Sequence, residues 1–210
     1  IWSCHLNDQI PLQHLVGKCP WGDFELEVNS SVLIPRQESE ILIELALERC
    51  QKNFAGRWAD LGTGSGALAV ALSRSLPLWL GHAVDSSMRA LMMAEKNLDR
   101  LNENSKVELS LGDWWEPLEP WWGSFDLVLS NPPYIPESVL KELEPIVRDH
   151  EPHVALSGGH DGMDSIRKIV GGAMTALSPG GWLIFEHHHD QSERSLDYLV
   201  QSGFTNVTFE

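Results

Sequence analysis

Apolar positions along this chain follow two alternating rhythms. Short apolar runs stand at Trp58–Leu61, Leu80–Val84, Val107–Leu111, Phe125–Leu129, Trp182–Glu186 and Thr205–Phe209, the length and character of strands buried in a sheet. Other stretches carry apolar residues at helical spacing. Residues 38–50 place Ile41, Leu42, Leu45 and Ala46 on one side, and Ser87–Leu101 does the same with Leu91, Ala94, Leu98 and Leu101. Gly66–Arg74, Met163–Leu177 and Ser192–Gln201 also read as helices, with Ser86 as a cap and "SPGG" (178–181) as a stop. Strands alternating with helices predict an α/β fold with a doubly wound, mostly parallel sheet. Ahead of it, "FELEVNSSVLIP" (24–35) predicts a β-hairpin: alternation over Phe24–Val28, a turn at Asn29-Ser30-Ser31, then Val32–Ile34. Residues 1–20 read as polar and irregular, and no repeat or low-complexity tract appears. Residues 1–50 are taken as a connecting segment with the hairpin and first helix, and 51–210 as the main domain.

Four strand ends carry chemistry. "ADLGTGSGALAVAL" (59–72) is a strand, a glycine turn and a helix. Gly62, Gly64 and Gly66 permit positive φ and close backbone approach. Taken alone, Gly62-x-Gly64-x-x-Ala67 fits a loose dinucleotide fingerprint or a plain turn. Asp60 argues against a dinucleotide, because its carboxylate would repel a pyrophosphate. It suits a ligand with an amino group there, such as S-adenosylmethionine, whose own carboxylate can use the helix N-terminus. Thr63 and Ser65 complete this candidate loop. Asp85 ends the next strand, at the position of a residue that binds ribose hydroxyls. In "GDWWEPL" (112–118), Asp113 can accept from an adenine amino group and Trp114 can pack on its ring. Trp115, Trp121 and Trp122 read as packing.

"LSNPPYIP" (129–136) follows the fourth strand. Its prolines stop any ladder, since neither donates an N–H. An amide or exocyclic amine is a poor nucleophile, because its lone pair is delocalised. A site that methylates one must hold the NH₂ and aim the lone pair. The Asn131 oxygen can accept one N–H and the Pro132 carbonyl the other, its direction fixed by the proline rings of Pro132 and Pro133. Tyr134 can pack on the flat group.

Composition narrows the choice. The 210 residues carry a net charge of −15 with a pI near 4.9. That surface repels polyphosphate, so tight nucleic-acid binding is not expected. No apolar run reaches a membrane span. The three cysteines suit a reducing, cytoplasmic compartment rather than disulfides or zinc. His187, His188 and His189 are adjacent and point different ways, so no metal is assigned. The chain opens with Ile1, not Met, and is read as a fragment.

Assembled, these motifs resemble the HemK-type protein-(glutamine-N5) methyltransferases, which modify peptide-chain release factors. "VLIPRQESE" (32–40), with Ser39 in place of a Thr, "DLGTGSG" (60–66), the ribose strand "VDSS..A" (84–90), "GDWWEPL", "NPPYIP" (131–136), "EPHVALSGGHDGMD" (151–164) and "GGWLIFEHHHDQ" (180–191) carry the resemblance. It implies a Rossmann-like class I S-adenosylmethionine-dependent methyltransferase domain, here without the family's preceding helical domain and its closing strand. It further implies methylation of the glutamine of a Gly-Gly-Gln loop by a cytoplasmic monomer, with no role given to Arg36 or Glu38. An exocyclic amine of rRNA or DNA is the alternative acceptor. A nicotinamide-dependent reductase or nucleotide-binding module on the same loop is a third reading, disfavoured by Asp60 and by the lack of a Tyr-x-x-x-Lys or His pair.

Overall fold

A computed structural model of the chain describes residues 1–50 and 54–209. Two short helices, α1 (Trp2–Asp8) and α2 (Leu12–Val16), lead into a hairpin of β1 (Lys18–Trp21) and β2 (Phe24–Glu27). Then come α3 (Glu40–Arg49), β3 (Arg57–Leu61), α4 (Ala67–Ser75), β4 (Leu80–Asp85), α5 (Met88–Leu101), β5 (Val107–Leu111) and β6 (Phe125–Ser130). Short α6 (Glu137–Leu140) and α7 (Pro145–Arg148) precede α8 (Asp164–Ala176), β7 (Leu177–Phe185) and α9 (Ser192–Gln201). The expected division after residue 50 falls at residues 51–53, outside the described residues.

The sheet has five parallel strands in the order β5-β4-β3-β6-β7. The chain winds outward from β3 through β5, then returns to place β6 on the other side of β3. The order therefore reverses between β3 and β6, and the crevice beyond their carboxyl ends is where such sheets bind ligands. Side chains alternate across the sheet with a period of two. Trp58, Ala83, Leu127 and Leu129 join a core with Leu68, Leu72 and Ala90 from the α4 and α5 side. Ala59, Leu61, Val84 and Val128 face Ile169, Ala173 and Ala176 of α8. Trp58 pairs in register with Gly81, and any side chain at 81 would collide with its ring.

Five local expectations are corrected. The hairpin lies at 18–27, not 24–34: Phe24–Glu27 pairs backward across Gly22-Asp23, with Gly22 at a φ of +56°. Residues 28–36 instead form a pinned loop, with Asn29 Oδ1 accepting from Ser31 N at 2.8 Å and Glu151 Oε2 from Ile34 N at 3.3 Å. Residues 1–20 hold two helices and the start of a strand rather than irregular chain. The cap of α5 is Ser87, whose Oγ accepts from Ala90 N, not Ser86. The SPGG segment lies inside β7 as a bulge, between the pairs Phe125↔Leu177 and Leu127↔Trp182. Thr205–Phe209 forms no strand, and Asn206, at a φ of +56°, interrupts the extended run.

Candidate active site

Because every strand of the sheet runs the same way, the sequences that follow them gather at one edge. A cavity of about 260 Å³ opens there. The loop after β3, the end of β4, the turn after β5 and the segment after β6 form its walls, and residues 31–39 and 152–157 close the far side.

The glycine loop is held by its neighbour. Gly62 N and Thr63 N both donate to Val84 O at 2.9 Å, and Gly64 N donates to Asp85 Oδ2 at 2.8 Å. Gly62, Gly64 and Gly66 all lie at positive φ, a conformation open to glycine at little cost. Gly66 is also needed for space, since a Cβ there would stand 3.0 Å from Ala94 Cα in α5. Gly62, Thr63, Gly64 and Ser65 line the cavity.

Asp60 is fully buried and lies behind Thr63, outside the cavity lining. Thr63 Oγ1 donates to its Oδ2 at 2.7 Å, while Oδ1 has no hydrogen bond of normal geometry. Burial pushes its carboxyl up to about 7, and the nearby Asp85 charge adds to this, against the pull of the Thr63 hydroxyl and the Ala69 amide. Asp85 lines the cavity. Its Oδ1 accepts from Ser87 N and its Oδ2 from Gly64 N, both at 2.8 Å. Each oxygen keeps a lone pair for a further donor. Burial raises this carboxyl above the usual range, opposed by the Ser87, Gly64 and Ser86 amides.

Trp114 has a φ of +52°, unusual for a bulky side chain. That backbone turn brings its ring against the glycine loop, 3.4 Å from where a Cβ on Gly62 would sit. Asp113 beside it is exposed, with Oδ2 accepting from Lys168 Nζ of α8 at 2.7 Å. Trp115 packs in the core beneath with Phe125, the packing role expected of it.

After β6, Asn131 and Pro133 line the cavity, Pro132 is buried, and Tyr134 stands outside the lining. The Tyr134 hydroxyl donates to Glu186 Oε1 at 2.8 Å. Burial, together with the Glu186 charge, raises that phenol well above its ordinary value and keeps the proton on it. Asn131 Nδ2 meets Ser39 Oγ at 2.7 Å, and Ser39 Oγ donates to Glu186 Oε2 at 2.5 Å. Arg36, another wall residue, pairs with the buried carboxylate of Glu151 at 2.7 Å. Asn97 of α5 is fully buried; its amide bonds Glu27 N, Glu27 O and Ser65 O, fastening the hairpin to the glycine loop. Sequence reasoning gave no role to Ser39, Glu186, Arg36, Glu151 or Asn97. Ser39, Arg36, Glu151 and Glu186 do lie in motifs that stood out, which was the available signal; Asn97 does not.

Comparison with known proteins decides the family. Residues 37–149 match the family described as methyltransferase small domain. The release factor glutamine methyltransferase of Prochlorococcus marinus is 66% identical over 212 residues, covering 100% of this chain and 72% of that protein. The chain belongs to the release factor glutamine methyltransferase family. A second member, from Gloeobacter violaceus, is 46% identical over 203 residues, covering 97% of the chain and 70% of that protein. Among solved structures, the ribosomal protein L11 methylase from Lactobacillus delbrueckii subsp. bulgaricus superposes with a TM-score of 0.61 at 20% identity, over 83% of this chain and 74% of that one. A methyltransferase from Pyrococcus furiosus gives 0.60 at 20%, over 86% and 78%. At these identities the likeness is one of fold, the Rossmann-like class I architecture. Membership of the family makes the chain an S-adenosylmethionine-dependent methyltransferase.

The residues present fit that cofactor. Asp85 has spare acceptors for two hydroxyls, the Trp114 ring offers an apolar face, and a buried carboxylate with an unpartnered oxygen lies behind the glycine loop. Among the described residues no group of three His, Cys, Asp or Glu side chains could hold a metal, and no helix is long and apolar enough to cross a membrane. His188 Nδ1 lies 2.6 Å from Asp190 Oδ1, and His187 Nδ1 bonds His188 O at 2.8 Å.

Proposed function

We propose that this protein methylates the side-chain nitrogen of the glutamine in the Gly-Gly-Gln loop of a peptide-chain release factor. The observation that carries the reading is Asn131 on the wall of the same cavity as the glycine loop and Asp85, in a chain 66% identical to a release factor glutamine methyltransferase.

S-adenosylmethionine, when bound, supplies an electrophilic methyl group. The chain's own work is binding and orientation. Asp85 takes the ribose hydroxyls, Trp114 and Asp113 the adenine. Gly62, Thr63, Gly64, Ser65 and Gly66 shape the loop that receives the amino-acid part, with Asp60 behind it as counter-charge. The Asn131 Oδ1 accepts one N–H of the glutamine amide and the Pro132 carbonyl the other, so the nitrogen lone pair faces the methyl. Pro133 keeps that backbone rigid, and Tyr134 supports it through Glu186. Carbon–nitrogen bond formation accompanies carbon–sulfur cleavage, and the surplus N–H proton leaves to water, because a protonated amide is a strong acid. Such positioning contributes on the order of 7–11 kcal/mol at most. No base is required before transfer.

The protein is taken to act as a cytoplasmic monomer, its three cysteines suiting a reducing compartment. Its charge of −15 opposes a nucleic-acid acceptor. The test is incubation with methyl-labelled cofactor and, in parallel, a release factor, rRNA and duplex DNA. A single added methyl on the Gly-Gly-Gln glutamine by mass spectrometry is expected. Label on a nucleobase amine, with none on the release factor, would overturn the assignment.

A further inference from the structure

An asparagine side chain has two ends of similar shape and opposite chemistry. Only its oxygen can accept an N–H from a substrate amide, so an Asn131 turned the wrong way would repel the group it has to hold. We propose that Ser39 and Glu186 are positioning residues that fix the Asn131 amide with its oxygen toward the cavity. This rests on the glutamine reading above, because the orientation matters only when an amide N–H has to be accepted.

The argument follows hydrogens along a chain of contacts. A carboxylate has acceptors and no donor. Ser39 Oγ lies 2.5 Å from Glu186 Oε2, so the one hydroxyl hydrogen of Ser39 is committed to Glu186. What Ser39 then presents to Asn131, 2.7 Å away, is a lone pair. Only the NH₂ end of Asn131 can meet it, and Oδ1 is left for the cavity that Asn131 lines. The direction is thus set by Glu186, two contacts removed from the substrate. Two further contacts hold Glu186 in place. Its Oε1 accepts from the Tyr134 hydroxyl at 2.8 Å, and its backbone N–H donates to Ser130 O, the residue before Asn131, at 3.0 Å. Ser39 is 4% exposed, so bulk water has little access to replace its hydroxyl. The three side chains come from the turn before α3, the segment after β6 and the end of β7, up to 147 residues apart in the chain.

The arrangement also gives the serine motif a purpose. A threonine at 39 keeps the hydroxyl and therefore the relay. An alanine removes the acceptor for the Asn131 NH₂. A glutamine at 186 can donate to Ser39 Oγ, which frees the serine hydrogen for Asn131 Oδ1 and turns the NH₂ toward the cavity.

The experiment measures kcat and KM for methyl transfer to a release factor, with cofactor affinity by calorimetry and folding by circular dichroism. Ser39→Ala should lower kcat by about 10- to 100-fold, the cost of losing orientation at one contact, with KM and cofactor affinity unchanged. Ser39→Thr should restore turnover. Glu186→Gln should lower kcat in the same way. On an Asn131→Ala background, Ser39→Ala should cost nothing more, since the group it positions is gone. Normal kcat in folded Ser39→Ala, an equal loss on both backgrounds, or a change confined to KM or cofactor affinity would each overturn the proposal. If Ser39→Ala does not fold, Glu186→Gln decides alone, by reduced or normal kcat. A wild-type enzyme that leaves the release factor unmethylated would overturn the glutamine reading and this inference with it. A working wild type beside a normal Ser39→Ala would overturn the inference only.

Discussion

Asp60→Asn tests the electrostatics beneath the glycine loop. In the folded protein the Asp60 carboxyl is raised from 3.8 to about 7, chiefly by burial. The folded state therefore binds this proton more tightly than the unfolded chain does. The stability it contributes is fully present below the unfolded value and is lost as pH rises through the folded one. Between about pH 8 and about pH 5 the native state gains nearly a whole proton here and the unfolded chain gains little, which integrates to about 2–3 kcal/mol of added stability. Asparagine has the same shape and can still accept from the Thr63 hydroxyl, but it does not titrate. Its NH₂ would need a partner where Oδ1 now has none, so the absolute stability of the variant is a poor guide. The difference between two pH values is a better one. Urea unfolding of both proteins, without cofactor, at each pH should show the wild type gaining about 2–3 kcal/mol more than the variant on acidification. Saturating S-adenosylmethionine should shrink that gap, because a nearby ammonium favours the ionised carboxylate. Parallel pH dependence in the two cofactor-free proteins would refute the reasoning.

Four further outcomes follow from the structure. Asp85→Ala should weaken S-adenosylmethionine binding by about 1.5–3 kcal/mol, the worth of hydrogen bonds to a charged group, and calorimetry reads it directly; unchanged affinity would remove Asp85 from the ribose role. Asn131→Ala should slow single-turnover methylation of a release factor by at least about 100-fold with the fold intact. Asn131→Asp should also be slow, since the added charge favours the sulfonium ground state over a transition state in which that charge is being consumed. Asn97→Ala should destabilise the protein by about 2–4 kcal/mol, because it strips partners from Glu27 N, Glu27 O and Ser65 O at once, and thermal unfolding reads the loss.

Much of the fold was legible because strands and amphipathic helices write their periods into adjacent residues. Val107–Leu111 and Ser192–Gln201 were found with the bounds the structure gives. That the glycine loop, Asp85 and the Asn131 segment would gather at one edge was legible for a related reason: each follows directly on a strand, and parallel strands present one edge. What could not be read was whatever depends on a distant partner. Nothing local marks Ser39 as the neighbour of Glu186 or Asn97 as the neighbour of Glu27. The hairpin was misplaced even though Gly22-Asp23 is a fair two-residue turn signal, because the alternation in Phe24–Val28 suits a strand partner on either side. The supposed last strand failed at Asn206, whose left-handed backbone no hydropathy pattern reveals. Sequence also does not say which side chain stands in front: Asp60 and Tyr134 lie behind the cavity lining, and Gly62, Thr63, Asn131 and Pro133 lie in it.

The one-edged sheet has a consequence for how the chain can be threaded. Residues 76–79, 102–106 and 122–124 lead into the amino ends of β4, β5 and β6, at the edge opposite the cavity, and none of them lines it. Their task is only to return the chain. Opening new termini in the exposed stretch at 103–104 would still leave Gly64 beyond β3, Asp85 at the end of β4 and Asn131 beyond β6. For the chemistry, what counts is not how the chain returns between strands but that each strand ends at the same rim.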